Sequence, residues 1–333
     1  MTETRYGVLL PHFGAQARRS RLVEDSARIE AYGFDSVWVR DHVVFVPHSY
    51  EDQDRTHLDP LVVLSAIAAV TQRISLGTAT LIPHRHPIHT AGALGALDFI
   101  AGPGRVIVGV GLGVGGYEFD SIGMGAWDRA DLVEEQVQVM KGLWSGLPYS
   151  HSGKYYDFTD VQIRPTPPSG GLPVWYGGNS YAAARRAVEY CEGWLPARMP
   201  QFALRRRLQR LQETAELHKV PLPTVGAIPY VVPGKTVEEA EKYVNSDEFL
   251  AMATRSFGPP PGKTEYSTLS DTDGAVIFGP PDVIVEAVTK YIAVGVDEFI
   301  FDMRVRFDAW EEVLGTIGQD VLPQLRRLGA QRL

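Results

Sequence analysis

Blocks of apolar residues alternate with amphipathic stretches along the chain, and residues 73–116 show this pattern most clearly. An apolar block covers 74–82, a turn follows, a helical pattern covers 88–101, and a second apolar block covers 105–110. A strand, a helical crossover and another apolar strand form a βαβ unit, whose two strands are parallel and buried. Ligands bind at the carboxyl ends of such strands, so we expect functional residues there.

The same alternation continues along the chain and predicts eight strands, each followed by a helix. The predicted strands cover residues 5–10, 35–39, 74–82, 105–110, 173–176, 193–197, 224–232 and 298–302. Eight such units are typical of a (β/α)8 (TIM) barrel. A doubly wound sheet is the alternative, but it usually has fewer strands and a two-part division, and no linker divides this chain. We therefore predict an α/β protein with one barrel domain over residues 1–333.

Two long irregular segments interrupt the alternation. Residues 146–172 and 255–273 are rich in glycine, proline, serine and aromatic residues. Long ordered loops tend to be functional, so we predict that both are insertions on the carboxyl-end face of the barrel. We expect them to roof a substrate pocket, the first through four aromatic side chains: Tyr149, Tyr155, Tyr156 and Phe158.

The composition argues against several classes of protein. A net charge of −8 argues against a nucleic-acid partner. No apolar run approaches the roughly 18 residues of a membrane span, and the first residues lack the pattern of a signal peptide. The single cysteine, Cys191, excludes an intrachain disulfide and is expected to be a buried, apolar-type residue. These features predict a cytoplasmic protein with no membrane or nucleic-acid partner.

The stretch from Gly111 to Gly116 fits the dinucleotide-binding pattern G-x-G-x-x-G. That pattern should open a helix directly and be followed by an acidic residue at a strand end, and neither is evident here. We favour a different interpretation, in which Gly111 and Gly113 form a loop that lets a flat cofactor approach the end of the fourth strand, because glycine permits close contact.

A second glycine pair, Gly177 and Gly178, ends the fifth predicted strand immediately before Asn179 and a predicted helix. Glycines at a helix N-terminus expose several backbone N–H groups, which is a favourable arrangement for a phosphate. An ordinary strand-to-helix turn is the alternative. We favour the phosphate because Arg198 follows the next strand end and would add positive charge.

Asp41 and His42 directly follow the second predicted strand. A histidine at this place is suited to acid–base work, because its unperturbed pKa lies near neutrality. A structural histidine that bonds a loop carbonyl is the alternative. His12, after the first strand, is similarly placed but has less support.

Three histidines lie close together at His84, His86 and His89. Their spacing across a proline matches no standard zinc pattern, and no carboxylate-rich partner motif is evident. We therefore predict no metal site.

Taken together, these motifs resemble the bacterial luciferase-like superfamily, and within it the branch that uses the deazaflavin coenzyme F420 rather than FMN. The segments that carry the resemblance are GFDSVWVRDHV (33–43), DPLVVLSAIAAVTQRISLGTATL (59–81), RHP (85–87), LDFIAGPGRVIVGVGLG (97–113) and GLPVWYGGNS with EGW (171–194). The resemblance implies a (β/α)8 barrel, a flavin-like ring at its carboxyl end, and a homodimer.

The resemblance also assigns roles to individual residues. It implies a non-prolyl cis peptide between Ala79 and Thr80 that backs the ring, with Thr78 and Thr80 close to it. It implies that Asp41 faces the cofactor and that His42 assists proton transfer. It places the cofactor phosphate at the double glycine already described.

The chain departs from the family pattern in two places. Where glycosyl-type relatives carry an acidic residue in the loop after the fourth strand, this chain has Val114, and Glu118 is the nearest substitute. The usual Gly-Asp-Gly before the tryptophan is replaced by residues 191–193, Cys-Glu-Gly. The substrate class is therefore not transferred.

Three functions remain open at this point. The leading hypothesis is an F420-dependent oxidoreductase that transfers hydride to or from a small carbonyl, imine, alkene or alcohol. An FMN-dependent monooxygenase that uses reduced flavin and dioxygen is the second. A non-catalytic barrel that only binds the cofactor is the third.

Overall fold

The computed structural model describes residues 3–48 and 51–330. Its strands, in chain order, are β1 Arg5–Leu9, β2 Ser36–Val39, β3 Ser75–Thr78, β4 Val106–Val110, β5 Tyr149–Ser152, β6 Asp157–Val161, β7 Val174–Gly177, β8 Gly193–Leu195, β9 Thr224–Ala227, β10 Tyr230–Pro233, β11 Val276–Gly279 and β12 Glu298–Phe301. Its α-helices are α1 Asp25–Tyr32, α2 Pro60–Ala68, α3 Pro87–Ala101, α4 Gly116–Ser121, α5 Arg129–Trp144, α6 Tyr181–Tyr190, α7 Gln201–His218, α8 Val237–Glu241, α9 Ser246–Phe257, α10 Pro281–Ala293, α11 Trp310–Gly315 and α12 Leu322–Ala330.

Eight of the strands form a closed, fully parallel barrel in the order β1, β12, β9, β8, β7, β4, β3, β2. The barrel closes through β1, which pairs with β12 on one side and with β2 on the other. Each of these strands lies within one of the predicted strand blocks or overlaps it. The prediction of a (β/α)8 barrel is confirmed. The single domain over residues 1–333 stays a prediction, and residues 1–2, 49–50 and 331–333 lie outside the described residues.

The interior of the barrel is filled by large side chains that glycines accommodate. Trp38 and Trp175 are buried there, with ring centroids 5.5 Å apart. A Cβ at Gly77 or Gly193 would overlap one of these indole rings. Glycine on the neighbouring strand leaves room for each indole ring, and the packed interior leaves the carboxyl end as the place for a ligand.

The helices begin at capping residues that the sequence pattern indicates. Asp59 caps α2, because its carboxylate accepts hydrogen bonds from the amides of Leu61 and Val62, and Pro60 follows at the first helical position. Asp128 caps α5 in the same way. Within the described part of the chain, no helix combines the length and the apolar content needed to cross a membrane.

The seventh predicted strand, 224–232, is divided in the structure. β9 belongs to the barrel, whereas β10 leaves it and pairs in parallel with β11 as a separate two-stranded sheet. Pro229 lies between the two pieces and has no backbone N–H to donate to a barrel ladder. The predicted strand 224–232 therefore contributes one strand to the barrel and another to a separate sheet.

The segment 146–172 does not lie where the sequence analysis placed it. It connects the end of α5 to the beginning of β7, and such helix-to-strand connections lie at the amino end of a barrel. Its hairpin of β5 and β6 packs along α5, where Glu135 accepts hydrogen bonds from the amides of Tyr155 and Tyr156. The prediction that this segment roofs the pocket at the carboxyl end is therefore wrong.

The segment 255–273 does lie at the carboxyl end of the barrel. It belongs to the long connection from β9 to α10, which leaves a strand at its carboxyl end. The connection also contains β10, α8, α9 and β11, so this part of the chain is more regular than its composition indicates.

Candidate active site

A cavity of about 580 Å³ opens at the carboxyl ends of the barrel strands. This volume is within the range typical of small-molecule and cofactor pockets. Its walls come from the segments that follow β2, β3, β4, β7 and β8. Nine of the predicted site residues line it, namely Asp41, His42, Ala79, Thr80, Gly111, Gly113, Gly177, Gly178 and Arg198. No residue of 146–172 or 255–273 does so.

One wall of the cavity is built around Thr80. The Ala79–Thr80 peptide bond is cis, as the resemblance implies. A Cβ at Gly111 or at Gly177 would overlap the Thr80 side chain, so the two glycines allow three strand ends to meet. Thr78 differs from the prediction. It is buried beneath this wall, where its hydroxyl donates to the carbonyl of Gly109 at 2.9 Å, because successive strand residues point to opposite faces.

The turn from β7 into α6 forms a second wall. Gly178 has a φ of +132°, a region that favours glycine, and Ser180 caps α6 by accepting a hydrogen bond from the amide of Ala183 at 3.0 Å. The N-terminus of α6 thus faces the cavity, as a phosphate site requires. Asn179 does not line the cavity. Its side-chain oxygen accepts a hydrogen bond from the amide of Ala197 at 2.8 Å and so holds the neighbouring strand end in place.

Gly113 lies in the loop between β4 and α4, which forms a third wall. Its φ of +71° is in the left-handed region that favours glycine. Arg129 donates hydrogen bonds to the carbonyls of Leu112 and Gly113, both at 3.1 Å. Arg129, at the N-terminus of α5, therefore fixes the loop. No helix begins directly after Gly111, so this segment lacks the dinucleotide-binding arrangement.

Two arginines of α6 have different surroundings. The helical pattern suggests that both Arg185 and Arg186 are solvated. Arg185 is exposed and pairs with Glu189 at 2.8 Å, but Arg186 lines the cavity, with its guanidinium carbon 5.9 Å from the centre of the Tyr176 ring. The interpretation is wrong for Arg186, because α6 turns one face towards the cavity and Arg186 lies on that face, three positions after Ala183.

His42 is held by a buried carboxylate from a different loop. Its Nδ1 lies 3.0 Å from Oε1 of Glu118, and Oε2 of Glu118 accepts a hydrogen bond from the amide of Val43 at 2.9 Å. Glu118 is 0% exposed. Burial raises the pKa of Glu118, but the hydrogen bonds from His42 and from the Val43 amide outweigh burial and lower that pKa below its ordinary value. An ionised Glu118 therefore orients the imidazole.

Asp41 is engaged by side chains and backbone around it. Its carboxylate accepts hydrogen bonds from Nη1 and Nη2 of Arg85 at 2.5 and 3.0 Å and from the amide of Ile82 at 3.0 Å. Arg85 also pairs with Asp59 at 2.6 Å. Burial raises the pKa of Asp41, but hydrogen bonds from His84 and Arg85 lower it well below its usual range. The carboxylate that was expected to face the cofactor thus joins the segments after β2 and β3.

We expect Asp41→Asn to destabilise the protein by about 3 kcal/mol at pH 7, because it removes the carboxylate from a buried ion pair. The pKa of Asp41 is depressed in the folded state, so its stabilising contribution is complete above the ordinary value near 3.8 and is lost as the pH falls below it. Urea unfolding of both proteins at several pH values checks this. The difference in unfolding free energy should shrink below about pH 4, and a constant difference would contradict the ion pair.

His12 has a structural role. It is fully buried, its Nδ1 lies 3.0 Å from the carbonyl oxygen of Leu10, and its Nε2 accepts a hydrogen bond from the amide of Arg40 at 2.9 Å. Burial, together with the nearby His57 and Arg40, lowers the pKa of His12 well below its ordinary value. His12 therefore joins the ends of β1 and β2 as a neutral imidazole.

The three clustered histidines have separate surroundings. Nε2 of His84 lies 3.3 Å from Oδ2 of Asp41, whereas Nδ1 of His86 accepts a hydrogen bond from the amide of Ile88 at the start of α3. Among residues 3–48 and 51–330, no group of three or more histidine, cysteine or acidic residues is placed to hold a metal ion.

Sequence reasoning missed a group of charged residues at the carboxyl ends of β2, β8 and β12. We call it the arginine cluster, and it consists of Arg40, Glu51, Arg198, Asp302 and Arg304. Arg198 pairs with Asp302 at 2.7 Å, so its guanidinium is engaged by a carboxylate. The sequence singled out only Arg198, which follows a strand end; the other signals are that Arg40 directly precedes the Asp-His pair and that Arg304 follows the last barrel strand.

Comparisons with known proteins agree with this geometry. The chain is 26% identical over 335 residues to the F420-dependent glucose-6-phosphate dehydrogenase of Amycolatopsis mediterranei (strain U-32), covering 92% of this chain and 95% of the relative. It is 27% identical over 348 residues to the enzyme of the same name from Nakamurella multipartita, covering 94% of each chain.

Solved structures share the fold. An F420-dependent secondary alcohol dehydrogenase in complex with an F420–acetone adduct superposes with a TM-score of 0.79 at 19% identity, covering 97% of this chain and 99% of the other. The oxygenating constituent of 3,6-diketocamphane monooxygenase from Pseudomonas putida, in complex with FMN, gives 0.76 at 19% identity with the same coverage. The model of the luciferase-like monooxygenase family matches residues 4–298. The chain therefore belongs to the luciferase-like monooxygenase family.

Proposed function

We propose that this protein is an F420-dependent oxidoreductase that transfers hydride between the deazaflavin and a small organic carbonyl, imine, alkene or alcohol. The observation that carries the proposal is the His42–Glu118 pair in the wall of a cofactor-sized cavity. Similarity over nearly the whole chain to enzymes named as F420-dependent supports the choice of coenzyme. When bound, the deazaflavin supplies or accepts the hydride.

The cavity offers suitable surfaces for the two ends of such a coenzyme. Ala79, Thr80 and Gly111 form a wall of backbone and small side chains against which a flat ring fits. Gly177 and Gly178 lead into the N-terminus of α6, whose backbone N–H groups and dipole favour a phosphate. We assign the ring to the first surface and the phosphate to the second.

Proton transfer falls to His42. Its Nδ1 is occupied by Glu118, so Nε2 is the nitrogen that exchanges a proton with the polar atom of the substrate. A carbonyl or imine needs a proton as it is reduced, and an alcohol must lose one as it is oxidised, so one imidazole serves either direction. Glu118 holds the ring in place. Asp41 is a positioning residue, because its carboxylate is engaged by Arg85 and Ile82.

Titration of the purified protein with F420 and with FMN, each oxidised and reduced, tests the proposal. We expect micromolar or tighter binding of F420, measured by the change in its fluorescence, and much weaker binding of FMN. Turnover with an alcohol or carbonyl substrate should require F420 and proceed without dioxygen. Tight FMN binding with no affinity for F420, together with dioxygen-dependent turnover, would favour a flavin-dependent monooxygenase instead.

Two further expectations stay predictions. The resemblance implies a homodimer, and Val62 of α2 and Phe99 and Ile100 of α3 are exposed apolar side chains on two helices that pack together. A second copy of the chain would cover such side chains. A cytoplasmic location is expected from the single cysteine.

A further inference from the structure

The arginine cluster lies mostly out of contact with water and is held together by short ion pairs. Nη1 of Arg304 lies 2.8 Å from Oε1 of Glu51, and Nη2 of Arg304 lies 2.8 Å from Oδ2 of Asp302. The side chains of these three residues are at most 6% exposed. Arg198 completes this part of the cluster through its pair with the same Asp302 oxygen.

The cluster carries one more positive than negative charge, because three arginines face two carboxylates. Burial raises the pKa of Glu51, but Arg304 and Arg40 lower it to about 2, so Glu51 is ionised at pH 7. Burial and the nearby Arg304 lower the pKa of Arg40 to about 9, which leaves Arg40 charged. Burial is the main cause that lowers the pKa of His48, beside the cluster, to about 4. His48 is therefore neutral at pH 7 and does not change this net charge.

The surplus positive charge is located on Arg40. This residue is 8% exposed and lines the cavity. Its one ion pair, from Nη1 to Oε1 of Glu51, is 3.4 Å long, and that oxygen is already bound more closely by Arg304. Its Nε and Nη2 are buried without a hydrogen-bond partner among the described residues. Buried donors are nearly always satisfied, so these two indicate a missing acceptor.

Most of the cluster lies on the side of the cavity opposite the α6 N-terminus. In the barrel order, β2 and β12, which precede Arg40 and Arg304, each lie three strands away from β7 in opposite directions, whereas Arg198 follows β8, next to β7. An anion bound at Arg40 would therefore be distinct from a coenzyme phosphate at α6. Arg40 is also two residues before His42, and both line the cavity, so the anion would lie on the substrate side.

We propose that the arginine cluster binds the anionic group, a carboxylate or a phosphate, of the substrate. The assignment of this anion to a substrate rests on the proposed function, whereas the anion site itself does not. Arginine suits this task, because its planar fork donates two parallel hydrogen bonds to a carboxylate or phosphate. The face of the Phe13 ring, 3.6 Å from the guanidinium carbon of Arg40, keeps that fork in place. The substrate is thus a small anionic carbonyl, imine, alkene or alcohol.

Calorimetric titration with inorganic phosphate and with acetate, in the presence of saturating F420, tests the site. With F420 bound, the α6 N-terminus is occupied, so we expect the remaining anion affinity to depend on Arg40. Arg40→Met should weaken it by about 10- to 100-fold, because hydrogen bonds to a charged group are lost. Arg210→Met, on the exposed face of α7, is the matched control and should change nothing.

Thermal unfolding separates a binding role from a structural one. Arg40→Met leaves two arginines facing two carboxylates, so we expect an unchanged or higher Tm. A lower Tm with unchanged anion affinity would mean that Arg40 only neutralises Glu51, and it would overturn the proposal. Glu51→Gln increases the net positive charge of the cluster. It should therefore tighten phosphate binding several-fold, whereas Arg40→Met weakens it.

F420 binding, followed in parallel by fluorescence, distinguishes the two proposals. Unchanged F420 affinity in Arg40→Met supports a substrate site, whereas a large loss would assign the cluster to the coenzyme and overturn the inference. If the wild type binds no F420, the proposed function fails, but Arg40-dependent binding of phosphate or acetate would still establish the anion site. Wild-type protein that binds neither anion would overturn it.

Discussion

Replacement of His42 by alanine should lower turnover by about 100- to 10,000-fold, the contribution that a general acid–base group makes. The affinity for F420 should change little, because the surfaces assigned to the ring and the phosphate lie after β3 and β7. The pH–rate profile should also lose the limb that a histidine contributes. Steady-state kinetics over a range of pH, with coenzyme binding measured on the same samples, checks all three expectations.

The matched control is His218→Ala, which removes an imidazole from the exposed end of α7. It should leave turnover and the pH profile unchanged. A His42→Ala variant that keeps near-normal turnover at every pH would show that His42 is structural, and Glu118 would become the next candidate for proton transfer. Wild-type protein that binds the coenzyme but turns over no donor or acceptor would indicate a binding protein.

Gly178→Val should weaken F420 binding by about 10- to 100-fold, because a side chain at this position blocks the approach of the phosphate to the backbone N–H groups of α6. The new Cβ would lie 3.2 Å from Cβ of Ala183, at a φ of +132° that valine rarely adopts. The variant should also lose about 1–2 kcal/mol of stability from backbone strain. Fluorescence titration and urea unfolding measure the two effects separately.

Gly102→Val controls for the strain alone. Gly102 follows α3 with a φ of +90°, its Cβ would meet open space, and it does not line the cavity. We expect a comparable loss of stability with unchanged F420 affinity. Equal affinity in Gly178→Val and wild type would move the phosphate elsewhere, and Arg186 on the next turn of α6 would be the residue to change next.

The barrel was predictable because its information is local and repetitive. Apolar blocks separated by helical patterns predict parallel strands, and parallel strands carry their ligands at one end whatever the detailed packing. The same topological rule explains why His42 and the glycine pair at 177–178 line the cavity. The cis bond at Ala79–Thr80 was predictable only through resemblance, since no local pattern distinguishes it.

The misplaced features depend on contacts between distant parts of the chain. Glu118 lies 76 residues from His42, and no spacing rule connects the two. Asn179 sits next to the glycine pair but turns its side chain to the neighbouring strand end, which adjacency in sequence does not reveal. The segment 146–172 was misplaced for a simpler reason, because its composition suggested a functional loop while its position, after a helix rather than a strand, requires the amino end.

The loop between β4 and α5 makes the range of accepted substrates inseparable from the rate of catalysis. Residues 111–115 form a wall of the cavity, and α4, which begins directly after them, carries the Glu118 carboxylate that orients His42. A mutation that reshapes this wall to admit a larger molecule also moves Glu118. Substitutions in this wall that change specificity are therefore expected to lower turnover as well. Substitutions on the β8 side, around Leu195 and Ala197, alter the cavity without disturbing the His42–Glu118 pair.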